Sequence, residues 1–127
     1  MNTAIIAIFG VVSTLLVIGV LSARQYQLTN SDTHLRRHRI SMRSVFSFVV
    51  TGVLILEIAI RLGLIQSGEH KYFWVHLVFA IPFFVLTAVL VFWKNGIRSP
   101  YLHKKLGYLC SMTFIGTLIT GLIFLLT

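Results

Sequence analysis

Acidic residues are nearly missing from this chain. Asp32, Glu57 and Glu69 are the only three in 127 residues, against 11 Lys and Arg. A single cysteine, Cys110, excludes an internal disulfide and a CxxC metal motif. There is no Gly-rich phosphate loop and no low-complexity tract, and proline occurs only at Pro82 and Pro100. Charged residues make up 11% and hydrophobic ones 57%, where soluble domains carry about 25% and about 45–50%. Such a composition excludes a large extramembrane catalytic domain, a nucleotide-binding fold and a nucleic-acid-binding module.

In their place stand four apolar runs, each of about the 20 residues an α-helix needs to cross hydrocarbon. Residues 4–23 and 106–126 contain no charge; 44–65 contain Glu57 and Arg61; 73–93 contain His76 and Pro82. Nothing alternates with the in-out period of a barrel strand, and only helices and closed barrels satisfy the backbone in lipid. The expected fold is therefore all-α, one integral membrane four-helix bundle over residues 1–127. The first run lacks a basic n-region and exceeds a usual signal-peptide core, so it reads as a retained helix. Trp74 and Trp93 bracket the third run as an aromatic belt would, and Pro82 in its middle favours a kink.

The net charge of +8 belongs to the connections. Arg24, Arg36, Arg37, Arg39 and Arg43 lie in or at the edge of the first, and Lys94, Arg98, Lys104 and Lys105 in or beside the third. Short Lys/Arg-rich loops stay cytoplasmic, so residues 24–43 and 94–105 are expected there and both termini outside. The charge is a topology signal. No nucleic-acid partner is expected.

Ionisable groups inside a span cost about 2.5–3.5 kcal/mol on insertion scales and need a reason. Glu57 stands about 20 Å from the start of the second run, and Arg61 follows one turn later on the same face. They read either as a structural ion pair with a snorkelling arginine or as a proton-active or ligand-contacting carboxylate facing the bundle interior. His76, in the first turn of the third run, is a packing residue or a ligand. His34 and His38 fall at i and i+4, on one face if that segment is helical. His38 and His103 each begin a helix beside a basic pair, the disposition two axial haem ligands would need, and basic residues there suit haem propionates. The alternative is solvated histidines beside topology charges. His38 and Glu57 are separated by about 28 Å of helix axis, so one small cofactor cannot use both ends. His70, beside Glu69, reads as a surface residue.

From His34 onward the pattern resembles a family of small four-helix bacterial membrane proteins that includes the CtaM-type assembly factors of haem–copper terminal oxidases. The matching segments are His38-Arg39-Ile40-Ser41-Met42, His76 to Ala80 followed by Pro82, and His103-Lys104-Lys105-Leu106 with a later Thr120-Gly121. They cover about 90 residues. The resemblance implies a plasma-membrane accessory factor for such an oxidase, not an enzyme in its own right. It implies His38, His76 and His103 as haem or copper ligands and oxidase subunits as partners. The family's further histidine late in helix two is replaced here by Leu56-Glu57-Ile58-Ala59-Ile60-Arg61. Glu57 could serve copper or a proton, but a carboxylate substitutes poorly for an axial haem ligand. The HxxxG start of helix four (His103 to Gly107) is also similar, more loosely, to small b-type cytochromes.

Three functions follow from these residues. The first is the assembly factor, holding haem or copper by ligation and release. The second is a small b-type cytochrome with His38 and His103 as axial ligands. The third is a cofactor-free structural subunit of a membrane complex. A small transporter built as a homo-oligomer around Glu57 and Arg61 ranks behind them.

Overall fold

The computed structural model describes residues 2–64, 71–93 and 100–126. They form four helices, α1 (Asn2–Thr29), α2 (Asp32–Arg61), α3 (Lys71–Phe92) and α4 (Pro100–Leu126). No strand occurs among the described residues. Each helix is long and apolar enough to cross a membrane. The chain divides into two compact units, Met1–Leu54 and Ile55–Thr127, and α2 runs through the division.

The helices overrun the apolar runs, and the largest correction concerns residues 24–43. Expected as a connection, this segment is helical except at Asn30 and Ser31. Charge marks where a helix leaves hydrocarbon; it does not break the backbone hydrogen-bond ladder. The turn is made by local chemistry instead. Asn30 takes a left-handed conformation (φ 51°), which asparagine tolerates better than most residues, and its N–H donates to the Tyr26 carbonyl at 2.8 Å. The Ser31 carbonyl then accepts from the N–H groups of His34 and Leu35 at 3.1 and 3.3 Å, starting α2.

At its other end α2 stops at Arg61, short of the expected Ile65. Gly63 adopts φ 71°. Its N–H reaches the Ile60 carbonyl at 3.0 Å, and the Leu64 N–H reaches Ala59 at 2.9 Å. These are the two bonds of a Schellman cap, which needs glycine at the left-handed position. Helix α4 is already formed at Pro100, ahead of the expected Leu106. Helix α3 continues through Pro82, which leaves the Val78 carbonyl without its usual donor.

In the first unit α1 and α2 are antiparallel. A Cβ on Gly19 would meet Met42 Sδ at 3.2 Å and Ser41 Cβ at 3.5 Å, while one on Gly52 would meet Ile8 at 3.8 Å. Burial follows a three-to-four residue spacing, through Val12, Leu16, Gly19 and Ser22 on α1 and Ser41 and Val45 on α2. In the second unit α3 and α4 pair antiparallel through Phe73 with Phe124, His76 with Thr120, Phe83 with Phe114 and Thr87 with Cys110. Small or hydroxylated residues at these contacts let the helix backbones approach, as in membrane helix pairs.

Large apolar side chains remain exposed on every helix, among them Val17 and Leu21, Val53 and Leu54, Val78 and Ile81, and Ile115 and Ile119. Soluble monomers rarely expose contiguous apolar surface on this scale. Hydroxyls along the helices turn back on their own backbone. Ser13 donates to the Phe9 carbonyl, Thr51 to Ser47, Ser111 to Gly107 and Thr117 to Thr113, at 2.7–3.0 Å. That internal satisfaction is what hydrocarbon demands of a polar side chain.

Candidate functional site

The burial stripe of α2 continues upward from Ser41 to His38 and His34, so both part-buried imidazoles lie on the face turned to α1. The i, i+4 placement expected from sequence is present because α2 is already helical there. Arg36, Arg37 and Arg39 occupy the other faces and are exposed. His38 Nδ1 lies 2.8 Å from the Gly19 carbonyl oxygen. A carbonyl can only accept, so Nδ1 carries the proton and Nε2 holds the ring's lone pair. A hydrogen bond from one ring nitrogen to a backbone carbonyl is what orients histidines that ligate metals through the other nitrogen. Nδ1 of His34 is buried and has no hydrogen-bond partner.

His76 lies on the packed face of α3, with Nδ1 3.2 Å from Thr120 Oγ1. The Thr120 hydroxyl donates its own proton to the Gly116 carbonyl at 2.7 Å, so it accepts from His76 Nδ1–H. This bond joins helices 44 positions apart in sequence. The Thr120-Gly121 pair was the one sequence signal for it, and nothing in the sequence pointed to the Gly19 carbonyl.

His103 is exposed in the first turns of α4, beside exposed Lys104 and Lys105. His76 pairs near the far end of α4, so the two histidines stand about 25 Å apart along that helix. Within the second unit no single small cofactor reaches both. Among the described residues no group of three or more His, Cys, Asp or Glu side chains is placed to hold a metal ion.

Glu57 and Arg61 do pair, Arg61 Nε donating to Glu57 Oε1 at 2.8 Å, with both side chains more than half exposed. Because α2 ends at Arg61, the pair occupies its last turns and not mid-span. Arg61 also faces the negative end of the helix dipole, where a cation is stabilised. This geometry matches the structural ion pair with a snorkelling arginine.

Cys110 is 1% exposed and fully packed. Thr87 Oγ1 gives its proton to the Phe83 carbonyl at 2.7 Å, so the Cys110 thiol donates to Thr87 over 3.4 Å. Trp74 and Trp93 are exposed at the two ends of α3, where an aromatic belt would meet a membrane boundary. Glu69, His70, Lys94 and Arg98 lie outside the described residues. Compared with family models, curated proteins and solved structures, the chain matches none of them.

Proposed function

We propose that this chain is a multi-pass plasma-membrane accessory protein of a respiratory haem–copper oxidase, holding haem or copper through histidine. In this reading residues 24–43 and 94–105 face the cytoplasm and both termini face outward. The resemblance of the His38, His76 and His103 segments to CtaM-type factors supplies the class of partner. The observation that carries the reading is the bond between His38 Nδ1 and the Gly19 carbonyl, which sets the tautomer a ligand needs.

The donor set fits such a group in part. With Nδ1 bonded to the Gly19 carbonyl, His38 presents Nε2 as its basic nitrogen, and copper or haem iron accepts imidazole. Glu57 is engaged by Arg61 and is the weakest of the candidate ligands. A bound haem or copper would supply redox-active metal for delivery. The chain itself holds the His38 imidazole in register against α1.

Absorption spectroscopy and metal analysis of the protein in mild detergent test this. Haem or copper that binds the native protein and is lost in H38A supports it. No haem and no copper after reconstitution removes the cofactor role. Tightly held stoichiometric haem dependent on both His38 and His103 would identify a small b-type cytochrome instead. A cofactor-free structural subunit is the second reading, favoured by the use of His76 in α3–α4 packing and by the exposed apolar faces on every helix.

A further inference from the structure

We propose that the turn end of the α1–α2 hairpin is a binding site for the headgroup phosphates of acidic phospholipids, formed by Arg24, Arg36, Arg37, Arg39 and Arg43. Taken at about 1.5 Å of rise per residue, Arg24 lies about 9 Å from the Asn30–Ser31 turn along α1. Arg36, Arg37 and Arg39 lie about 8–12 Å from it along α2, so these four arginines leave their helices at about one level. Arg43 is about 18 Å from the turn.

That level coincides with a membrane boundary. The uncharged residues 4–23 span about 30 Å, the thickness of the hydrocarbon, and Arg24 comes immediately after them. The 28 residues of α1 extend about 42 Å, so the turn clears the hydrocarbon and the arginines stand in the headgroup layer. Side-chain direction assists on α2. Cα–Cβ bonds tilt toward a helix N-terminus, which for α2 is the turn end, so Arg36, Arg37 and Arg39 lean toward the headgroups. Arg43, set deeper, leans the same way and can snorkel to that layer.

All five side chains are exposed, and among the described residues none pairs with a carboxylate. Asp32 is the only acidic residue in the first unit. The choice of cation supplies an independent argument. Every cation of residues 1–54 is arginine, and the four lysines, Lys71, Lys94, Lys104 and Lys105, all lie later. Topology requires only positive charge, which lysine provides equally. Arginine adds a planar fork that binds phosphate through two parallel hydrogen bonds.

The test is a charge-preserving variant, R36K/R37K/R39K, purified beside the native protein in mild detergent, with phospholipid phosphorus and headgroup class measured per chain. Native protein should retain acidic phospholipid in preference to zwitterionic lipid, and the variant should retain roughly threefold to tenfold less. Equal retention by both proteins, or no preference for acidic headgroups, overturns the site. If the variant does not fold, the native protein decides alone. Its thermal midpoint should rise, in a salt-sensitive way, when phosphatidylglycerol is added to phosphatidylcholine vesicles; an unchanged midpoint overturns the proposal. The site rests on the membrane-spanning part of the proposed function. Native protein that washes off membranes at alkaline pH would remove that reading itself, whereas equal lipid retention by inserted proteins removes only the lipid site.

Discussion

The two helix pairs solve the same packing problem with different materials. Where α1 meets α2 the contacts are small and compliant: Gly19 against the Met42 thioether and Ser41, and Gly52 against Ile8. Where α3 meets α4 the contacts are aromatic and stiff, with the Phe79 ring laid over Gly116 and Phe83 tilted on Phe114, ring centroids 5.1 Å apart. Each pair also carries one histidine anchor. His38 bonds a backbone carbonyl on the turn side of its pair, and His76 bonds a part-buried hydroxyl in a side-chain interface. A glycine contact is therefore only as demanding as the atom facing it.

Adding one methyl group at each glycine would break or sharpen that contrast. The largest effect is expected for G116A, since its Cβ would enter the Phe79 ring. Overpacking of this kind costs about 1–3 kcal/mol, read as a lower thermal midpoint in detergent. F79L should restore much of the loss in the double variant; no rescue would show that the ring is not the obstacle. At the α1–α2 turn, N30V should cost about 1–2 kcal/mol because a β-branched residue resists the left-handed conformation. N30G should be close to neutral in the same unfolding assay.

Smaller effects separate the two histidines. H38A should lower stability by about 0.5–1.5 kcal/mol through the lost bond to Gly19, and H76A by about 0.6 kcal/mol, the average for side-chain bonds between membrane helices. A much larger loss in H76A would mean that the aromatic interface depends on its polar anchor. The smallest effects belong to the first pair. G19A should cost under about 1 kcal/mol because the Met42 side chain can move aside. G52A, at ordinary contact distance from Ile8, should be neutral or gain about 0.5–1 kcal/mol from helix propensity. Equal costs at Gly19 and Gly116 would end the distinction between the two interfaces.

The number of helices and their apolar character were legible in the sequence because a span must be about 20 residues of continuous hydrophobicity. Helix ends were not. Hydropathy locates the solvent boundary, while Asn30 and Gly63 locate ends of the hydrogen-bond ladder, and the two differ by up to several turns. The candidate histidines were all visible as residue types in costly or suggestive places. Their partners were not: Gly19 contributes only a backbone carbonyl that accepts, and Thr120 is one of several hydroxyls on α4. The pairing of Glu57 with Arg61 was legible, because i and i+4 on one helix always share a face. Its place toward the outer end of the span was legible too; the stop of the helix at Arg61 was not, because it depended on the cap at Gly63.

The sequence by itself determined that this protein is made of four apolar helices with its cations gathered near two connections. Composition and local propensity suffice for that, since each run meets the length and hydrophobicity of a span without help from its neighbours. Only the tertiary structure decided that His38 Nδ1 meets the Gly19 carbonyl and His76 Nδ1 the Thr120 hydroxyl, that Cys110 is sealed against Thr87, and that the Phe79 ring would have to shift to admit a Cβ at position 116. Those facts depend on which side chain from a distant segment stands opposite. Antiparallel packing sets that opposition, and hydrophobic runs do not encode it one at a time.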